Sequence, residues 1–244
     1  MHSLFNTFAR RYDLHTPPAH YQHDHQLVLD LAAEQGIDCR ILDVGCGTAV
    51  LVEKARKTGF DAWGLDVSPA MITVAQTRVP AEVVWVQRMQ DIDQIECYDL
   101  IVAMSWSLHY CSNVQELIDV LSRIWRALTL GGRILLQIAH AANLSDEWME
   151  DRETGPTGEA RDVSLRFRFR RDPAIAACIF ADYEFKCESL HERMEESHVL
   201  VGADAFLIVQ MLRESGFSEP VIWNSWRRDA TLTSGSVFVT AVRT

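Results

Sequence analysis

Ile41-Leu42-Asp43-Val44-Gly45-Cys46-Gly47-Thr48-Ala49-Val50 decides how the chain reads. Arg40 to Gly45 is a short apolar run closed by glycine, which predicts a buried strand; Val50 to Lys57, stopped by Gly59, predicts the following helix. Glycines at a strand-to-helix turn let a ligand approach the backbone, and the helix beyond offers unpaired N–H groups. Nineteen residues after Gly47, at the end of a second strand over Ala62 to Val67, stands Asp66. An acid at that strand tip is placed to take both hydroxyls of a ribose, so an adenosine-type ligand is implied. The dinucleotide fingerprint is incomplete, because Val50 occupies its third glycine position. Asp43 would repel a pyrophosphate and attract an ammonium group. Both features turn the reading away from an NAD(P)-dependent reductase.

The same rhythm continues outward. A helix spans Gln26 to Glu34. Ser68 caps a helix begun by Pro69 and continued to Arg78. Strands are expected at Glu82 to Gln87 and Tyr98 to Met104, and an amphipathic helix from Asn113 to Leu128. Gly131-Gly132 turns the chain into a fifth strand, Arg133 to Ala139. Alternation of this kind predicts a mainly parallel sheet with helices on both faces. After Ala141 the rhythm changes. Val163 to Arg170 alternates Leu165, Phe167 and Phe169 with Arg166, Arg168 and Arg170, and Ile175 to Cys187 and Ser189 to Leu200 also look extended, as antiparallel strands with one solvated face do. A helix over Ala203 to Ser215 and strands over Pro220 to Trp226 and Ser236 to Val242 complete the chain.

The 244 residues are 48% hydrophobic and 23% charged, with a formal net charge of −11. This is globular composition, long enough for one domain with an insertion. No apolar run is long enough for a membrane helix. The acidic surplus argues against nucleic acid as a partner. Six cysteines without a C-x-x-C pair read as reduced thiols, and the N-terminus lacks an apolar secretory core, so a cytoplasmic location is expected. His15, His20, His23 and His25 have spacings that fit no common metal site, and no metal is expected.

Leu42-Asp-Val-Gly-Cys-Gly-Thr48, with Gly64-Leu-Asp-Val-Ser-Pro-Ala-Met71, resembles motif I and the ribose-binding acid of class I S-adenosylmethionine-dependent methyltransferases. Leu128-Thr-Leu-Gly-Gly-Arg-Ile-Leu-Leu136 is similar to that family's turn before its fifth strand. Tyr12-Asp13 and Met104-Ser-Trp-Ser-Leu-His-Tyr110 resemble the small-molecule branch that contains glycine and aminosugar N-methyltransferases. The resemblance implies a Rossmann-like seven-stranded α/β sheet with helices on both faces and an antiparallel β insertion after the fifth strand. Residues 1–140 and 201–244 would form the core, with 1–25 as a lid, and 141–200 would cover the substrate.

Carried over, the resemblance implies that Gly45 and Gly47 line the methionine moiety, Asp43 binds its amino group, Asp66 the ribose, and Ala103 passes beneath the sulfur. Cys46, Val67 and Met71 complete the pocket. Arg88 stands where the branch has an acid for adenine, which leaves adenine to Met89, Gln90 or Asp91. The implied cofactor is S-adenosylmethionine, released as S-adenosylhomocysteine.

Methyl transfer needs alignment and removal of a proton. His140 and His109, at C-terminal strand ends, are the leading proton acceptors, with Tyr12 facing the sulfonium from the lid, where an aromatic suits a cation. Trp106, Tyr110 and Arg168 are assigned to the acceptor. The basic stretch Arg161 to Arg171 otherwise reads as a solvated strand face paired with acids at Asp146 to Glu153 and Glu192 to Glu196; as a site it would hold an anionic acceptor. The expected activity is methylation of a small molecule, such as a natural-product intermediate, with nitrogen favoured as acceptor. An O-methyltransferase and a catalytically silent S-adenosylmethionine-binding sensor or partner subunit are the alternatives, and a homodimer is compatible with either.

Overall fold

The computed structural model describes residues 2–140, 143–151, 163–171 and 178–244. Arg161, Glu153 and Ile175 to Ala177, which entered the expectations above, lie outside them. The chain opens with short 3-10 turns at Ser3–Phe5 and Ala9–Arg11 and the four-residue helix α1 (Tyr12–His15), followed by α2 (Gln22–Gln35). Strands and helices then alternate: β1 (Arg40–Val44), α3 (Val50–Lys57), β2 (Asp61–Asp66), α4 (Pro69–Ala75), β3 (Val84–Val86), β4 (Tyr98–Ala103), α5 (Val114–Ala127) and β5 (Leu128–Ala139). Strands β6 (Met149–Asp151), β7 (Val163–Arg171), β8 (Cys178–Cys187) and β9 (Glu192–Val201) follow, then α6 (Ala205–Glu214), β10 (Phe217–Trp223) and β11 (Ser236–Arg243).

Seven strands form one sheet in the order β10-β11-β5-β4-β1-β2-β3. β1 to β5 run parallel, and β11 and β10 close one edge antiparallel. The order reverses between β1 and β4, so the carboxyl ends of those strands open a crevice where an α/β sheet receives its ligand. Both faces are covered. Leu27 and Leu31 of α2, Leu51 of α3 and Ile72 of α4 pack with Ile41, Leu100 and Val102 on one side. On the other, Leu117, Leu121 and Ile124 of α5 and Ile208 and Met211 of α6 pack with Leu42, Ile101 and Leu136.

Strands β6-β7-β8-β9 form a second, wholly antiparallel sheet, and its short first strand had no counterpart in the sequence reading. Leu165, Phe185 and Met194 on its inner face pack with Leu4 of the N-terminal segment, and Phe169 and Ile179 with Ala139 at the end of β5. Two boundaries differ from expectation. Residues Ala81 to Val83 are a 3-10 turn, so β3 keeps only three residues. Gly131-Gly132 does not turn the chain into β5 but lies inside it, at a point where the register with β4 shifts between Tyr98 and Leu100. Gly131 has φ 82°, and a Cβ on Gly132 would stand 2.9 Å from Thr129 O, so the glycines accommodate an irregularity in a strand.

Candidate active site

A cavity of about 470 Å³ opens at the carboxyl ends of β1, β2 and β4. Its floor is the turn after β1. Gly45 has φ 79°, and a Cβ there would lie 2.5 Å from Ser107 Oγ; Gly47 has φ 53° and nothing within 4 Å of where its Cβ would be. One glycine therefore admits a neighbouring loop, and the other leaves open the space beside a ligand. Asp43, only 4% exposed, lines this cavity with its Oδ1 buried and unpartnered among the described residues. Burial, reinforced by the nearby Asp66 charge, pushes its carboxyl up to about 7. Such an oxygen demands a donor, and a cation satisfies it best.

Asp66 is fixed at the tip of β2. Gly47 N–H donates to its Oδ2 at 3.0 Å and Ser68 N–H to its Oδ1 at 2.8 Å. Each oxygen keeps a further lone pair, so the clamped carboxylate can still accept from a vicinal diol. Ser68 completes the frame by accepting from Met71 N–H at 3.2 Å, capping α4.

A second cavity, of about 500 Å³, adjoins the first. Phe5, Tyr12, Tyr21, Ser105 and Tyr110 line both, which makes them the junction. The hydroxyls of Tyr12 and Tyr21 lie 3.3 Å apart there. The second cavity is walled by Trp106, Phe167, Phe169 and Tyr183 among others, and among the described residues its one acidic lining residue is Asp24. Gln137 bridges Asp24 and the junction: its Nε2 donates to Asp24 Oδ2 at 2.8 Å, and its Oε1 accepts from Ser105 N–H at 2.9 Å. No Lys or Arg is among the described residues lining it.

Cys46, Val67, Met71, Met89 and Gln90 line the first cavity with Asp43, Gly45, Gly47 and Asp66; Tyr12 and Tyr110 line both, and Trp106 lines the second. Five residues are placed otherwise. His109 is 1% exposed with both ring nitrogens engaged, Nδ1 donating to Val201 O at 2.7 Å and Nε2 accepting from Ala139 N–H at 3.0 Å. It staples β5 to the end of β9 and lines neither cavity, so with both nitrogens held by backbone groups it is not placed to act as the proton acceptor expected of it. His140 is buried against Phe206, ring centroids 5.7 Å apart, and lines neither cavity. Arg168 belongs to the outer face of β7, where its Nε donates to Asp182 Oδ2 at 2.8 Å and its guanidinium lies 4.6 Å over the Trp148 ring. On that face Arg166 also donates to Glu184 and Arg170 to Asp182 of β8, while Glu150 of β6, one of the expected acids, stands in register opposite Arg166. Ala103 is packed into the core, and Met104 and Ser105 take the lining positions beyond it. Asp91 is exposed outside the cavity.

The sequence reading missed Tyr21, Asp24 and Tyr183, and also His2, Glu196 and His198 at the junction's outer side. Tyr110 Oη is 2.6 Å from His198 Nδ1, and Glu196 accepts from Ser3 N–H at 2.7 Å and Leu4 N–H at 3.0 Å. No local signal marks the last three, because their partners are distant in the chain. They are the one group of described His, Cys, Asp and Glu residues close enough to suggest a metal. The rings of His2 and His198 are stacked at 3.7 Å, 27° from parallel, so their in-plane lone pairs run side by side, and both Glu196 oxygens already accept backbone N–H bonds. Of the N-terminal histidines, His23 stacks on Trp226 and His25 on Tyr21.

The seven-stranded sheet, with its cavity at the carboxyl ends of the central strands, is the Rossmann-like fold that solved S-adenosylmethionine-dependent methyltransferases share. Residues 41–132 match the family model described as a methyltransferase domain. Among curated proteins, a dTDP-4-amino-2,3,4,6-tetradeoxy-D-glucose N,N-dimethyltransferase of Saccharopolyspora spinosa is 31% identical over 97 residues, 40% of this chain and 39% of that one. The chain spans about half the length of the curated relatives it matches first. Two solved structures share the fold. A sugar N-methyltransferase from Streptoalloteichus sp. has TM-score 0.72 and 20% identity, covering 90% of this chain and 86% of that one. An amino pentose methyltransferase from Micromonospora echinaspora has TM-score 0.72 and 19% identity, covering 91% and 90%. No helix among the described residues is long and apolar enough to cross a membrane.

Proposed function

We propose that the protein is an S-adenosylmethionine-dependent methyltransferase of small molecules and that its acceptor atom is an amine nitrogen. The observation that carries the first part is the unpartnered buried oxygen of Asp43 in a cavity it shares with the clamped carboxylate of Asp66. Those residues fit the cofactor: Asp43 would hold its ammonium, Asp66 its ribose, and Met71 and Met89 would pack on its apolar parts. When bound, the cofactor supplies the methyl group. The chain's own residues align the acceptor, exclude water at the tyrosine-lined junction, and receive the proton.

The amine is favoured by Asp24, the acid facing an otherwise mainly aromatic and apolar cavity. Among the described residues lining it there is no Lys or Arg to pair with a carboxylate as the acceptor group. The second sheet, with the 141–200 segment that carries it, selects the acceptor. Mixing the protein with S-adenosylmethionine and a panel of dTDP-linked amino sugars, free amines, phenols and carboxylic acids tests this by release of S-adenosylhomocysteine. Amines should turn over, with Asp24→Asn raising KM about tenfold, the scale of one charged hydrogen bond. Turnover of only hydroxyl or carboxyl compounds would transfer the reading to O-methylation. Tight cofactor binding without any turnover would favour the silent sensor.

A further inference from the structure

We propose that Tyr110, His198 and Glu196 form a proton-accepting relay at the junction of the two cavities, an inference that rests on the methyltransferase reading. Tyr110 is the entry point, because its side chain lines both cavities and its hydroxyl is 2.6 Å from His198 Nδ1. His198, on β9, has no exposed surface. Its other nitrogen, Nε2, stands 3.3 Å from Glu196 Oε2. That approach lies off the N–H axis and leaves Nε2 without an aligned hydrogen bond, so the carboxylate acts mainly on the charge of a protonated ring. Glu196 is itself held by the Ser3 and Leu4 N–H groups, and its Oε1 is 3.3 Å from Nδ1 of His2, a side chain 36% exposed.

The groups facing His198 come from every side. Tyr110 reaches it from the loop after β4, Tyr183 from β8 with ring centroids 4.8 Å apart, His2 and Phe5 from the N-terminal segment, and Glu196 from β9 itself. Burial, then the neighbouring His2, depress its pKa to about 4, so the resting ring is neutral and its Nδ1 is free to accept from the Tyr110 hydroxyl. His109, next to Tyr110 in the chain, has no such freedom, since both its nitrogens hold backbone groups.

The steps balance. Formation of the N–CH3 bond uses the nitrogen lone pair, the electrons of the broken S–CH3 bond stay on sulfur, and the nitrogen must shed one proton. That proton passes to Tyr110 Oη as the tyrosine's own proton moves to His198 Nδ1. The imidazolium, its charge offset by Glu196, holds that proton while the product leaves and then returns it from Nδ1 to Tyr110 as the tyrosine releases its own to water entering the opened junction, which restores the neutral Nε2–H ring. Tyr110 thus acts as the proton acceptor at the reacting atoms, and His198 and Glu196 act through it.

The full chain, labelled with 15N at histidine and observed by NMR with and without S-adenosylhomocysteine, tests the arrangement independently of turnover. The expected result is a neutral His198 protonated at Nε2, whose Nδ1 signal moves downfield in Tyr110→Phe as its hydrogen bond is lost. A ring protonated at Nδ1, or an Nδ1 signal that Tyr110→Phe does not move, overturns the relay. With a dTDP-linked amino sugar as acceptor, Tyr110→Phe and His198→Gln should lower kcat about 100-fold, the lower end for acid–base catalysis, with the KM for S-adenosylmethionine within about twofold. Glu196→Gln should give a smaller fall. Folding of each variant is checked by circular dichroism, and Tyr110→Phe, which removes one oxygen, stands in if His198→Gln does not fold. Folded variants that retain full kcat also overturn the relay. Failure of S-adenosylhomocysteine to bind would instead strike the methyltransferase reading, while the ligand-free histidine spectrum still decides the hydrogen bond.

Discussion

Asp43 is the residue with most to lose from its position. Its carboxyl titrates near 7 because burial and Asp66 oppose the charged form, whereas in the unfolded chain it ionises near 4. Between those values the folded protein holds a proton that the unfolded chain has released. Asp43 therefore costs nothing below about pH 4 and progressively more as pH rises, reaching on the order of 4 kcal/mol above pH 7. Asp43→Asn should accordingly raise the Tm of the ligand-free protein at pH 8 and leave it nearly unchanged at pH 4.5. The same substitution should weaken S-adenosylhomocysteine binding 10- to 100-fold and abolish the rise in affinity that calorimetry should show between about pH 6 and 8. A variant that gains neither stability nor loses affinity would separate Asp43 from the ammonium. The meeting of Asp43, Gly45, Gly47 and Asp66 in one cavity was legible because one turn and the next strand tip hold all four. His109 and His140 were misread because chain position marks the end of a strand but not the direction of a side chain. Nothing local marks His198, whose partner Tyr110 lies 88 residues away.

Among the elements, α4 shows how a short helix fixes both Asp66 and the N-terminal segment. Ser68 caps it, donates its hydroxyl to Phe5 O, and offers its N–H to Asp66. Ser68→Ala should lower stability by about 1 kcal/mol, a fall in Tm of roughly 2–4 °C. It should also loosen Phe5, read as faster backbone hydrogen exchange across Ser3–Phe5; unchanged exchange would show that the lid is held without Ser68. The cap was readable from Ser68-Pro69 alone. By contrast, Gly131-Gly132 carries the signature of a turn, yet the pairing of Leu128 with Tyr98 of β4 extends β5 through it. The shortness of β3 has the same origin: apolar residues at Glu82 to Gln87 indicate burial, but β2 pairs with only three of them.

At the scale of the molecule, the N-terminal segment contributes walls to both cavities and closes on the core through two acids. Glu196 receives Ser3 and Leu4, and Asp13 receives Thr48 Oγ at 2.7 Å and the guanidinium of Arg78. Asp13→Asn should leave the fold intact while raising the stopped-flow dissociation rate of S-adenosylhomocysteine about fivefold, near the worth of one partly exposed ion pair. An unchanged rate would mean that ligand leaves by another route. The parallel sheet was evident from the alternation of elements, and the antiparallel sheet from the Leu-Arg-Phe-Arg alternation of β7. Where that second sheet docks was not, because its contacts join β7, β8 and β9 to a segment more than 140 residues earlier.

Phe5 and Tyr12 belong to both cavities and to the same strap of chain. If that strap must lift for spent cofactor to depart, the acceptor loses its roof in the same movement. A product needing a second methyl would then be free to diffuse away between rounds, so successive methylation by this architecture is distributive, and a singly methylated intermediate should accumulate in solution before the doubly methylated one.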